Sequence, residues 1–208
     1  MQADNWRSVW QTPVKRNYFI ALMSGLAVMF VAVFLTIGYT ETRSGIVIEE
    51  WAGDYLGKPG NFSILIFSLT YLCITYAIVT HAKQPVAFMR LLSAYMFMQF
   101  LRVITLLLVP LDPPADINPL SDPFLEYTFY NGRVNLKDLF FSGHVATVCI
   151  IAFFTKNKVM RIVMWILTLV IGALLIQQRV HYIADVAAAP LFAWVAVKLS
   201  SVSSKSLS

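Results

Sequence analysis

Leu136-Lys137-Asp138-Leu139-Phe140-Phe141-Ser142-Gly143-His144 and, further along, Arg179-Val180-His181-Tyr182-Ile183-Ala184-Asp185 each set ionisable groups at the edge of a long apolar run. A charge at such a position is costly to keep unpaired, so the two stretches carry a functional expectation if the runs lie in a membrane. Composition supports a membrane. The 208-residue chain is 58% hydrophobic and only 13% charged, and its mean hydropathy of +0.68 is too high for an ordinary soluble domain. Apolar runs of about 17 to 25 residues cross a hydrocarbon core of roughly 30 Å as helices. Six fit: 18–38, 62–80, 86–109, 139–155, 162–177 and 181–198. The expected fold is all-α, a polytopic membrane bundle of six transmembrane helices.

The first run follows a polar lead containing Trp6 and Trp10 and continues for a full spanning length, so it is expected to remain as an anchor. The chain divides into a cytoplasmic lead over 1–17, a transmembrane catalytic domain over 18–199 and a Ser-rich cytoplasmic tail over 200–208. An acidic loop follows the first run and suits a short interfacial helix around Ile46–Tyr55. Pro110, Pro113, Pro114, Pro119 and Pro123 argue against a continuous helix or strand between the third and fourth runs. Cys73 and Cys149 fall inside apolar runs, as small hydrophobic side chains do. His81, beside Lys83, is expected as an interfacial polar residue.

The net charge of +5 does not imply a nucleic-acid partner, because the bases are scattered at run ends and form no patch. They sort by side instead. The lead, the second and fourth connections and the tail hold ten of the sixteen bases, and the alternate side holds ten of the eleven acids. Both termini are therefore expected in the cytoplasm. The fourth and sixth runs then enter from outside, which places His144, His181 and Asp185 in the outer half of the bilayer. Arg102 lies about two turns below the outer end of the third run. The site is expected on the exoplasmic or periplasmic side, of the inner membrane in a bacterial host.

His181 and Asp185 are four residues apart, which stacks them on one helix face. A carboxylate so placed orients an imidazole and stabilises its cation during proton or phosphoryl transfer. His144 supplies a second imidazole, and two imidazoles with one carboxylate suit attack at phosphorus and protonation of a leaving oxygen. Ser142 and Gly143 open the fourth helix, whose first-turn N–H groups bind phosphate. Arg102, Lys137 and Arg179 are the candidate phosphate cations, with Asp138 an orienting or acceptor group. With no metal cluster in the sequence, cationic side chains carry the electrostatic work, and neither a metal nor a cofactor is expected. Asp112, Asp116, Asp122 and Glu126 are expected to form a solvated loop face.

Phe141-Ser142-Gly143-His144 and His181-Tyr182-xx-Asp185-Val186 resemble the paired motifs of the sphingomyelin synthase-like branch of the type 2 phosphatidic acid phosphatase superfamily. Arg102-xx-Thr105 with Pro110 resembles that branch's third-helix motif, and Asp138 matches its acidic position; the likeness covers about Gln99 to Pro190. It implies a phosphatidic acid phosphatase type 2-like helical bundle, metal-independent chemistry and a phosphohistidine intermediate. By the resemblance, His181 is the nucleophile, Asp185 orients it, and His144 is acid and base at the leaving and accepting oxygens. The partners implied are a phospholipid donor and a ceramide-like or diacylglycerol-like acceptor. The departures are Leu136-Lys137 in place of Cys-Gly, Val145 in place of Thr, and Val180 where the choline and ethanolamine transferases usually place an acid. The phosphatase branch normally has an Arg six residues before the second His, where this chain has Leu175. A lipid phosphate phosphatase with water as acceptor, and a non-catalytic scaffold or transporter, are the alternative readings.

Overall fold

The computed structural model describes residues 5–49, 57–114, 116–121 and 135–207. Its elements in chain order are α1 (Trp6–Gln11), α2 (Pro13–Thr42), α3 (Ser63–His81), α4 (Pro85–Leu108), α5 (Gly143–Phe154), α6 (Lys158–Gln177), α7 (Ile183–Ser203) and a 3-10 turn at Lys205–Leu207. The starts are written locally. Proline occupies the first turn of α2 and α4, where its missing N–H costs nothing. The Asn5 and Asn157 side chains accept the N–H groups of Ser8 and Met160 at 2.9 and 3.1 Å, capping α1 and α6. The part of the expected interfacial helix over 50–55 lies outside the described residues, and Ile46–Glu49 are not helical.

Five helices, α2, α3, α4, α6 and α7, are long and apolar enough to cross a membrane. The fourth expected span differs. Helix α5 has 12 residues, so it rises roughly 18 Å and is short of a bilayer core. The four residues before Gly143 are not helical because their neighbours take their backbone groups. Ser142 N–H donates to the Asp185 carbonyl (3.1 Å), and the Phe140 carbonyl accepts the Thr105 hydroxyl (3.0 Å). Just upstream, the Leu136 and Lys137 N–H groups both donate to Glu41 Oε1 at 2.7 Å. None of these partners is near in sequence.

Helix α5 compensates for its length by burial. Val145, Ala146, Val148, Cys149, Ile150 and Ala152 are at most 1% exposed, and α5 packs against α3, α4, α6 and α7 at once. Helix α4 packs along α7 on one side and α2 on the other, while α2 makes no comparable contact with α3 among the described residues. At the end of the bundle near Lys156, His81 is buried rather than interfacial. Its ring nitrogens contact the carbonyls of Ala77 (2.9 Å) and Phe154 (3.3 Å), joining the ends of α3 and α5. Residues 200–207 also dock: Ser200 donates to the Arg90 carbonyl (2.6 Å), Ser204 accepts from Arg90 Nε (3.1 Å), and Leu207 packs with Val9, Leu22 and Met89.

At the opposite end, two connections cross. Ile46 N–H donates to the Pro110 carbonyl (2.8 Å) and Asp112 N–H to the Ile46 carbonyl (3.1 Å). Tyr182, 1% exposed, donates its hydroxyl to the Asp112 carbonyl (2.8 Å) and accepts Ile48 N–H (3.2 Å), which ties the crossing to the start of α7. Gly45 makes the approach possible, since a Cβ there would lie 2.6 Å from Asp112 N. Gly45→Ala is therefore expected to lower the unfolding temperature in detergent, by the equivalent of about 2 kcal/mol. An unchanged thermal unfolding curve would show that the crossing contributes nothing.

Candidate active site

The five residues that join α6 to α7 are shaped by a helix-ending turn. Val180 N–H donates to the Leu175 carbonyl (3.1 Å) and Arg179 N–H to the Ile176 carbonyl (3.0 Å), the paired bonds of a Schellman motif. Arg179 occupies its left-handed position at φ 58°, where glycine is usual and a larger residue costs about 1 kcal/mol. The Arg179 side chain offsets this: it donates to the Gly57 carbonyl (2.9 Å) and lies 3.6 Å from Asp116. That turn delivers His181 to the foot of α7.

Asp185, fully buried, holds two groups with one oxygen. Its Oδ2 accepts Tyr182 N–H at 3.0 Å, closing the first turn of α7, and lies 3.3 Å from His181 Nδ1. A carboxylate only accepts, so Nδ1 is the protonated nitrogen and Nε2 carries the lone pair. The carbonyl of the same aspartate accepts Ser142 N–H, so one residue fixes both histidine-bearing helix starts. Ser142 occupies the N-cap of α5, yet its buried hydroxyl makes no cap bond, which leaves the first-turn N–H groups of α5 without a side-chain cap.

Arg102 reaches this point from α4. Its guanidinium pairs with Asp138 and donates to Gln99 Oε1 (3.3 Å), while Gln99 Nε2 donates to the Tyr95 hydroxyl (2.9 Å). Gly143 leaves room for it: a Cβ there would lie 2.7 Å from Nη1 and 2.8 Å from Cζ. His144 presents its ring edge-on to Phe67, with centroids 5.1 Å apart.

These groups share a cavity of about 340 Å³, lined by Arg102, Asp138, Gly143, His144 and His181. The size suits a small-molecule or head-group site. Apolar side chains also line it, Phe30, Val33, Phe34 and Ile37 from α2 and Phe67 and Ile74 from α3. Two candidate cations are not on the cavity wall. Lys137 lies 2.6 Å from Asp112 and donates to the Arg43 carbonyl (2.6 Å), and Arg179 is engaged as described above. The Lys137 ammonium and the Gly45 N–H hold the Asp112 carboxyl below the usual carboxylate range, so Asp112 is a partner in the loop crossing and more than solvated surface. Asp122 and Glu126 lie outside the described residues.

Sequence reasoning passed over Gln99, Tyr95 and the α2 wall. The signal for the first two was present, because Tyr95, Gln99 and Arg102 recur at helical spacing as a polar stripe in an apolar helix. The α2 aromatics gave none, being indistinguishable by composition from lipid-facing residues.

Residues 137–201 match the family model described as PAP2 superfamily C-terminal. The matched segment contains His144, His181 and Asp185 and supports PAP2 superfamily membership. Together with the apolar helices it supports a membrane enzyme of the lipid phosphatase or phosphotransferase kind. No curated protein matches the chain.

The close contact at Gly143 yields a prediction. Gly143→Ala is expected to fold normally, because the flexible end of Arg102 gives way, but to lower kcat/KM on a phosphorylated lipid roughly 100-fold by displacing the guanidinium. Wild-type turnover in this variant would remove Arg102 from the site.

Proposed function

We propose that the chain is an integral-membrane lipid phosphotransferase that moves a phosphate-containing head group from a phospholipid to a ceramide-like or diacylglycerol-like hydroxyl, resembling the sphingomyelin synthase-like branch. The observation that carries this reading is the cavity itself, whose lining combines two imidazoles and a guanidinium with apolar side chains of α2 and α3. A lipid suits both parts of that lining, its phosphate the cationic groups and its chain the apolar ones.

The chemistry follows from the atoms in place. His181 Nε2 attacks phosphorus, the bond from phosphorus to the donor's glycerol oxygen breaks, and His144 gives that oxygen a proton. Asp185 stabilises the cationic ring from Nδ1. The acceptor hydroxyl then attacks the phosphohistidine and returns its proton to His144, and the N–P bond breaks. Arg102 and the open N–H groups of α5 offset the charge on phosphorus oxygens. Asp138 and Gln99 position the guanidinium. The phosphatase reading shares the first step and admits water to the second, and the apolar wall favours the lipid acceptor.

Purified protein in mixed micelles, given a head-group-labelled phospholipid, is expected to form labelled sphingophospholipid or labelled new glycerophospholipid only when ceramide or diacylglycerol is present. His181→Ala is expected to reduce this by at least about 1,000-fold. Water-soluble phosphate as the sole product would establish the phosphatase instead, and full activity of His181→Ala would reject the nucleophile.

The proposal includes a topology with both termini in the cytoplasm and the cavity opening outward, supported by the sorting of the bases. In Cys73→Ser/Cys149→Ser protein, a cysteine at Asp116 is expected to react with an impermeant maleimide added outside cells. One at Lys158 is expected to be protected, and the reverse pattern overturns the orientation.

A further inference from the structure

The Tyr95 hydroxyl is oriented by a chain of exclusions. Arg102 carries donors only, so the oxygen of the Gln99 amide must face it, at 3.3 Å from Nη1. The NH2 end of the same amide is thereby turned to Tyr95, 2.9 Å away, and the phenol oxygen acts as acceptor. Its own proton is not used in that bond, and Tyr95 makes no other hydrogen bond among the described residues. Tyr95 lines the same cavity as the imidazoles. The cavity thus contains an oriented O–H donor, separated from the guanidinium by one side-chain amide and placed on the side of Arg102 toward the start of α4.

We propose that Tyr95 is a specificity-determining residue that donates a hydrogen bond to a chain-linking ester carbonyl of the phospholipid donor. The inference rests on the proposed function, which places the donor's phosphate at Arg102. In a glycerophospholipid a carbonyl oxygen follows the phosphate after the short glycerol backbone, and in the protein one side-chain amide, that of Gln99, stands between Arg102 and Tyr95. The acyl chain beyond the carbonyl then runs against Phe30, Val33 and Phe34 of α2. Gln99 is a positioning residue in this arrangement. It couples phosphate and carbonyl recognition, because the guanidinium fixes the amide and the amide fixes the phenol. An ether-linked lipid offers no carbonyl and leaves that donor unpaired, a loss of about tenfold for one hydrogen bond.

The test compares a diacyl phospholipid with its dialkyl ether analogue, head group and chain length held constant, in wild-type and Tyr95→Phe protein reconstituted in micelles. Wild type is expected to prefer the diacyl lipid about tenfold in kcat/KM, and Tyr95→Phe to lose most of that preference. Equal loss on both lipids would reduce Tyr95 to a packing role and overturn the proposal, as would a wild-type enzyme that does not distinguish them. Binding of the two lipids to His181→Ala protein with and without Tyr95→Phe, followed by quenching of tryptophan fluorescence with brominated chains, reads the same preference without turnover. If wild type turns over neither lipid, the phosphotransfer reading fails. The binding ratio still decides Tyr95: a diacyl preference that depends on its hydroxyl supports it, and equal binding overturns it.

Discussion

A guanidinium inside an apolar bundle is the constraint around which the rest is arranged. Arg102 is 7% exposed, and a charge so placed must be paired and hydrogen-bonded if it is to remain. Asp138 supplies the counter-charge, which requires the segment ahead of α5 to come to α4 in extended form instead of continuing the helix. Thr105 secures that segment at the Phe140 carbonyl. Gly143 follows because a Cβ there would push the guanidinium from its place. The start of α5, and with it His144, is therefore set by the needs of a charge on another helix.

The second fixed point is Asp185, which serves two helices by separate atoms. Its carboxylate closes α7 and orients His181, and its carbonyl receives the chain at Ser142. Moving α7 relative to α5 would strain the imidazole's partner and the N-cap of α5 together. The loop crossing extends this outward through Tyr182, which couples the residue after His181 to the connections that follow α2 and α4. The two other cations near the motifs belong to this scaffold. Lys137 holds Asp112 and the Arg43 carbonyl, and Arg179 holds the turn that ends α6.

The sequence displayed what is periodic or local and concealed what depends on distant partners. Five long apolar helices, the spacing of His181 and Asp185, and the Pro-rich break after α4 were legible from hydropathy and turn chemistry. The true start of α5 was not, because Leu139-Phe140-Phe141 continues the apolar run and only Thr105 and Asp185 pull it out of the helix. Lys137 and Arg179 had the right charge at the right depth for phosphate, but charge and depth do not tell which way a long side chain turns. His81 was misjudged for a related reason: Lys83 nearby suggests a membrane surface, while the Phe154 carbonyl that draws the ring inward lies far along the chain.

The cavity's composition bears on which acceptor completes the reaction. Water reaches a phosphohistidine easily unless the site excludes it, so a transferase needs walls that water does not wet, close to the reacting nitrogen. Here α2 and α3 both contribute apolar side chains to the cavity, and among the described residues α2 packs along α4 and leaves its contact with α3 sparse. A gap between two membrane-spanning helices opens toward hydrocarbon rather than solvent. On the proposed transferase reading, a lipid that enters there brings its own apolar surface to the cavity, and its hydroxyl arrives where water is least stable. On that reading the bound chain is part of the barrier, so the choice of acceptor and the dryness of the site depend on the same apolar side chains.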